Sequence, residues 1–284
     1  MTPENLTGPV SWHAEGPVWW SGPRGGLRWV DADAGDLLAL TDDGVRRTHV
    51  DDEYLAFVRP RANGGYVAVG ARSIHLSSDP ECPPTASTAL AVGSTARMND
   101  GCCDPRGRLL AGSMGLGTTP DGGSLVRIGR DLTPTTVLPA VAVSNGIGFT
   151  GDGTLAYYVD SLTRRIDVFD VDEEGELVER RPFARLADAD GLPDGLTVDA
   201  GGGVWVAAWG GSAVLGYDDA GMLRERIALP VPQVSACTFG GDDLGTLFVT
   251  TSAQGLPHDH GTDAGSVYAV RPGTRGLPVL PFAG

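Results

Sequence analysis

Short runs of alternating apolar and polar residues, broken by glycine-rich or Asp-rich turns, recur along most of the chain. Leu196–Val198, Val204–Ala208, Ala213–Tyr217 and Leu223–Ile227 read as four consecutive strands, with Gly210-Gly211 and Asp218-Asp219 as turns between them. The same plan is legible at Ile147–Phe149, Leu155–Val159, Arg165–Asp170 and Leu177–Pro182, where Glu173-Glu174-Gly175 supplies a turn. It is fainter at Leu55–Val58, Gly65–Val69, Ser73–Leu76 and Ala89–Val92, with Ser77–Pro84 as a loop. Long helical patterns are hard to find. The pattern predicts an all-β protein.

An oxygen-bearing side chain stands before a glycine at the head of four of these units: Glu15-Gly16, Asn99-Asp100-Gly101, Asn145-Gly146 and Asp194-Gly195. Asn99, Asn145 and Asp194 are 46 and 49 residues apart, and a further unit starts near Val234-Ser235-Ala236-Cys237-Thr238-Phe239. A strand repeat of roughly 40–50 residues is the period of a propeller blade, and the chain holds about six of them. We therefore expect residues 1–284 to form a single six-bladed β-propeller domain, with four-stranded antiparallel blades around a central channel. Either the segment near Gly8–Trp12 or Pro278-Val279-Leu280-Pro281 is expected to complete the last blade, because closure removes exposed edges.

Composition agrees: 42 glycines and 20 prolines in 284 residues imply abundant turns, and 41 % hydrophobic residues allow a sizeable core. The net charge of −15 argues against nucleic acid or an anionic membrane as partner, since phosphate is repelled. The four cysteines, Cys82, Cys102, Cys103 and Cys237, follow neither a disulfide framework nor a metal-binding spacing. Buried free thiols are the expectation. No basic-then-apolar leader is visible and no apolar run is long enough to span a bilayer, which points to the cytoplasm.

In a propeller the innermost strands line the channel, so the four anchors would gather Glu15, Asn99, Asn145 and Asp194 at one mouth. Two carboxylates and two amides suit a hard divalent cation, calcium first, with magnesium, manganese or zinc as alternatives. Any single Asn-Gly or Asp-Gly is an ordinary hairpin turn. Their recurrence at one place in the repeat is what points to a site. His13, two residues before Glu15, falls on the same strand face, either beside the site or merely packed. His258-Asp259-His260 reads as an exposed loop that could border the mouth. Cys102-Cys103 reads as filling on an inner strand. Trp19, Trp20, Trp29, Trp205 and Trp209 read as packing between blades, with Trp209 placed to floor a pocket. Asp104 and Asp199 read as turn residues.

Ala14-Glu15-Gly16-Pro17-Val18-Trp19, Arg97-Met98-Asn99-Asp100-Gly101, Ala111-Gly112-Ser113-Met114, Ser144-Asn145-Gly146, Tyr158-Val159-Asp160-Ser161 and Pro193-Asp194-Gly195 together resemble the regucalcin (senescence marker protein)/gluconolactonase family. The resemblance runs from about Trp12 to Val270. It implies a six-bladed propeller that holds one divalent metal ion and hydrolyses a small-molecule lactone. Glu15, Asn145 and Asp194 would be the metal ligands, and Arg97 and Asn99 would contact substrate. Asp194, or metal-bound hydroxide, would activate water. Members acting on aldonolactones often carry an acidic residue shortly after the Ala-Gly-(Thr/Ser)-Met strand. Here Gly115-Leu116-Gly117-Thr118-Thr119 holds none before Asp121, which opens the substrate range to less hydroxylated lactones. The competing readings are a non-catalytic calcium- or ligand-binding propeller, and a hydrolase of another ester or a phosphotriester.

Overall fold

Consecutive strands pair antiparallel from the channel outward, so five of the six blades are each one continuous stretch of sequence. The structure, a computed structural model, describes residues 1–22, 24–257 and 261–284. Among the described residues the strands form six four-stranded sheets. The inner strands are Ala14–Trp20, Leu55–Pro60, Ala96–Cys103, Ser144–Phe149, Leu192–Val198 and Val234–Gly240. Each lies against the inner strands of its two neighbours, and the sixth returns to the first. At that seam the Ser235 hydroxyl donates to the Ala14 carbonyl at 2.6 Å.

Two strand expectations need correction. The sixth blade is closed by neither segment named from the sequence. Glu4–Asn5, upstream of Gly8–Trp12, pairs with Val267–Val270. The segment Pro278–Pro281 instead belongs to a tail that crosses the far end of the channel. In blade two the outermost strand is Ala86–Ala89, not Ala89–Val92. An outermost strand faces water, and all four residues of this one are exposed. The more apolar Leu90 instead turns inward and is buried.

Apolar side chains fill the wedges between blades. Trp19 stacks on Phe248 at 5.4 Å between blades one and six, and Trp205 meets Phe239 edge-on at 6.0 Å between blades five and six. Trp20, Phe57, Tyr66 and Met98 share a buried cluster with Phe282 from the tail. All four thiols are free, but Cys82 is exposed rather than buried, and Cys102 is half-buried. Asp104 and Asp199 do occupy turns: Asp104 Oδ1 accepts the backbone N–H groups of Arg106 and Arg108, and Asp199 Oδ1 those of Gly201 and Gly203. No helix among the described residues is long and apolar enough to cross a membrane.

Every inner strand carries a bulge near its start. The pairing register slips between Glu15 and Val18, Leu55 and Phe57, Met98 and Asp100, Ser144 and Ile147, Pro193 and Leu196, and Val234 and Ala236. A bulge adds a residue to one strand and re-aims its side chain. Four of these bulges, at Glu15, Asn99, Asn145 and Asp194, turn side chains toward one cavity. The glycines beside them serve the neighbouring blade. A Cβ on Gly195 would lie 2.4 Å from Ala236 Cβ, and one on Gly146 would lie 2.4 Å from Leu196 N.

The C-terminal tail ties the far ends of several blades together. Ala200 N donates to Arg275 O, Gly276 N to Leu244 O, Phe282 N to Pro60 O and Ala283 N to Gly107 O, all at 2.8–2.9 Å. Leu277, Pro278, Val279 and Leu280 line the lower channel cavity, opposite Arg59, Cys102, Thr197 and Thr238.

Candidate active site

At the end where the inner strands begin, the channel opens into a cavity of about 200 Å³. Glu15, Asn145 and Asp194 line it from blades one, four and five, with Arg97 and Asn99 entering from blade three. His13 and Trp209 line the same cavity, as do Met114, Val143, Leu162 and Leu192 on its walls. The fold thus brings every residue singled out for the site to one place. His258-Asp259-His260 lies outside the described residues.

Burial dominates the electrostatics. Glu15 and Asp194 are each almost inaccessible. Burial first, and then the negative charge of Asp100, pushes the Glu15 carboxyl up to about 8, against the Gly16 N–H and Arg97. Burial, then Glu15 and Asp100, pushes Asp194 well above the usual carboxylate range, against the Asn145 amide and the Gly195 N–H. Inside the protein these carboxylates meet only weak donors, such as Gly16 N–H to Glu15 Oε2 at 3.1 Å.

Asp100 is the member the sequence reading overlooked. Its side chain is buried, accepts from Gly101 N–H at 2.7 Å and acts electrostatically on both Glu15 and Asp194. Burial raises its pKa while Arg59 below opposes the rise. The signal was present, since Asp100, not Asn99, directly precedes its glycine as the other anchors do. The bulge in this blade makes Asn99 the extra residue, because Met98 pairs with Ser113 and Asp100 with Gly112.

Asn99 and Arg97 act as a unit. Arg97 Nη1 donates to Asn99 Oδ1 at 2.7 Å and to Met98 O at 2.9 Å, while Asn99 Nδ2 donates to Ser144 O at 3.0 Å. The guanidinium lies 3.8 Å above the Tyr54 ring, a second residue that the pattern did not flag. Arg97 Nε and Nη2 hydrogen-bond no described residue, and Arg97 lines the cavity. Asn145 Nδ2 donates to Ser161 Oγ at 2.9 Å, which leaves Asn145 Oδ1 without a donor among the described residues.

Among the described residues no group of three or more His, Cys, Asp or Glu side chains is placed to hold a metal ion. The set available here is two carboxylates and an amide oxygen. It fits a hard divalent cation on physical grounds. Two buried carboxylates with few donors are costly as anions, and an unclaimed amide oxygen completes an all-oxygen donor set.

The family model described as the SMP-30/Gluconolactonase/LRE-like region matches residues 13–253. The chain belongs to this family. Among relatives of this SMP-30/gluconolactonase-like chain, an L-arabinolactonase of Azospirillum brasilense is 35 % identical over 95 % of this chain and 92 % of its own. A pentonolactonase of Haloferax volcanii is 35 % identical over 84 % and 81 %, and a regucalcin of Oryctolagus cuniculus 32 % over 95 % and 94 %. The solved structure of a luciferin-regenerating enzyme superposes with a TM-score of 0.87 at 27 % identity, covering 99 % of this chain and 100 % of its own. In this SMP-30/gluconolactonase-like chain the segment after Met114 puts Thr118 on the cavity wall. Asp121 lines a separate cleft with Leu90 and Val92.

Proposed function

We propose that this protein is a divalent-metal-dependent lactonase. The observation that carries the reading is the convergence of Glu15, Asn145 and Asp194, three oxygen donors from three blades, beside an arginine with free donors. The lactonases among its relatives support the reaction class. Glu15, Asn145 and Asp194 would hold the cation, with calcium as first expectation and zinc, manganese or magnesium as alternatives. Bound there, the cation would polarise the lactone carbonyl and acidify water.

The chain's own groups do the rest. Arg97 presents its free Nε–H and Nη2–H to oxygens of the substrate, held in place by Asn99, Met98 O and the Tyr54 ring. Asp194 takes a proton from the attacking water. The water oxygen bonds to the carbonyl carbon, the ring C–O bond breaks, and the proton passes to the departing ring oxygen, giving a hydroxy acid. A carboxylate acts as base only when ionised, and Asp194 is held protonated by burial unless positive charge is close. The mixed wall, Thr118 and Ser161 with Met114, Leu162 and Leu192, accepts a ring carrying few hydroxyls as well as a pentose-sized sugar lactone.

The test is hydrolysis followed by pH-stat on a panel of sugar and aliphatic lactones. The samples are chelated protein, protein reloaded with each cation, and Asp194→Ala. Turnover that requires metal and disappears in the variant supports the proposal. A folded, metal-loaded wild type that opens no lactone refutes it.

A further inference from the structure

His13 is an odd residue to bury where it sits. Its ring packs edge-on against Trp209 at 5.8 Å and lies 6.4 Å from Tyr54, contacts that an apolar ring would make equally well. Yet it is an imidazole, 5 % exposed, on the cavity wall two residues from Glu15. Buried polar atoms are retained where they have partners. One of its nitrogens has such a partner: Nδ1 is 2.9 Å from Ser252 Oγ. The other, Nε2, has no hydrogen-bond partner among the described residues, and it is not one of the unpartnered atoms sealed from solvent.

The Ser252 hydroxyl decides which nitrogen carries the proton. Ser252 is fully buried, and its Oγ already accepts the Gln254 backbone N–H at 2.9 Å. Its own hydrogen has one acceptor among the described residues, His13 Nδ1. Were Nδ1 protonated, in the other neutral tautomer or in the imidazolium, Ser252 Oγ would accept from it with its second lone pair and the buried hydroxyl hydrogen would have no acceptor among the described residues. That arrangement leaves a desolvated donor unpaired, an outcome the fold avoids by placing the ring hydrogen on Nε2.

We propose that His13 is a substrate-contacting residue whose Nε2–H donates a hydrogen bond to the lactone carbonyl oxygen, strengthening as that oxygen gains charge. The inference rests on the lactonase reading and adds to it a fixed donor outside the ligand set. The Gln254 N–H, the Ser252 hydroxyl and the His13 ring form a relay of orientation from blade six to the cavity. No proton is moved along it. Preorganised donors of this kind act mainly on kcat, because they bind the transition state more tightly than the substrate.

The experiment has two arms. The first uses long-range ¹H–¹⁵N spectra of the ¹⁵N-histidine-labelled, metal-free protein, which distinguish the two neutral tautomers without reference to activity. Addition of a lactam, a non-hydrolysed ring of the same shape, is expected to shift the Nε2–H signal. An Nδ1–H tautomer, or an unmoved signal with the lactam bound, overturns the proposal. The second arm compares wild type, His13→Phe and His13→Gln. Phe keeps the packing against Trp209, whereas Gln retains an N–H at the reach of Nε2. The expected result is a fall in kcat on the order of 10²-fold for Phe with KM little changed, substantial recovery in Gln, and unchanged calcium affinity in both. Equal rates in Phe and wild type overturn the proposal, as does a Gln variant no better than Phe. A rate loss explained by lost calcium binding also overturns it. A wild type that hydrolyses no lactone refutes the underlying reading, whereas a hydrolysing wild type matched by His13→Phe refutes this inference alone.

Discussion

Removing one buried carboxylate should make the metal-free protein more stable at alkaline pH, and Glu15→Gln is the substitution that tests it. Folding lifts the Glu15 carboxyl from its ordinary 4.5 to about 8 through burial and then the charge of Asp100. Between those values the folded protein keeps a proton that the unfolded chain has released. Stability therefore falls as pH rises across the window and is unaffected below it. At 1.36 kcal/mol per pH unit, the rise amounts to ~5 kcal/mol when fully expressed. For a chain of this size each kcal/mol moves Tm by about 2 °C, so the ceiling is ~10 °C. The assay is calorimetry of wild type and Glu15→Gln in chelator from pH 4.5 to 8.5, then with saturating calcium. Wild-type Tm should decline relative to the variant as pH rises, and calcium should lift the wild type far more. A wild type that gains on the variant toward pH 8 refutes the burial argument. Equal stabilisation of both proteins by calcium refutes Glu15 as a ligand.

Three further outcomes are expected. Phe282→Ala removes a fully buried ring that pins the tail and should destabilise the fold by about 3–5 kcal/mol, measured by urea unfolding; a change within error would mean the tail is not anchored there. Tyr54→Leu takes away the ring beneath Arg97 and should raise KM roughly 5-fold for the loss of about 1 kcal/mol of cation–π attraction. An unchanged KM would show that Asn99 and Met98 hold Arg97 by themselves. Gly195→Ala forces a methyl to within 2.4 Å of Ala236 Cβ and should lower Tm by several degrees while also moving Asp194. Full activity at an unchanged Tm would show that blades five and six part easily.

The repeat made both the blades and most of the site legible. Blades four and five alternate cleanly because each strand has one neighbour-facing side and polar turns at both ends. Blade two misled because its outermost strand, Ala86–Ala89, is wholly solvated and leaves no apolar alternation to read. The closing strand was invisible for a related reason. Glu4–Asn5 is two exposed residues whose pairing with Val267–Val270 is a long-range event without a local pattern. Glu15, Asn145 and Asp194 were legible as neighbours at one mouth because each stands directly before a glycine. Asp100 stands there too, but it is masked by the neighbouring Asn99, the bulge's extra residue. Tyr54 carries no motif at all, since its role comes from the ring under Arg97 across two blades.

The six bulges separate the architecture of the site from its chemistry. Their height in the channel is set by backbone pairing in each blade, not by the side chains they display. Glu15, Asn99, Asn145 and Asp194 line the cavity from four of those bulges, while Ala56 and Ser235, in the other two, are fully buried and line none of it. The Ser235 hydroxyl is already spent on Ala14 O and Thr250 Oγ1 at the seam between blades six and one, so that bulge serves closure of the propeller instead of the cavity. On the proposed function, the passage from one cation or one substrate to another would be a change of occupant at those four positions.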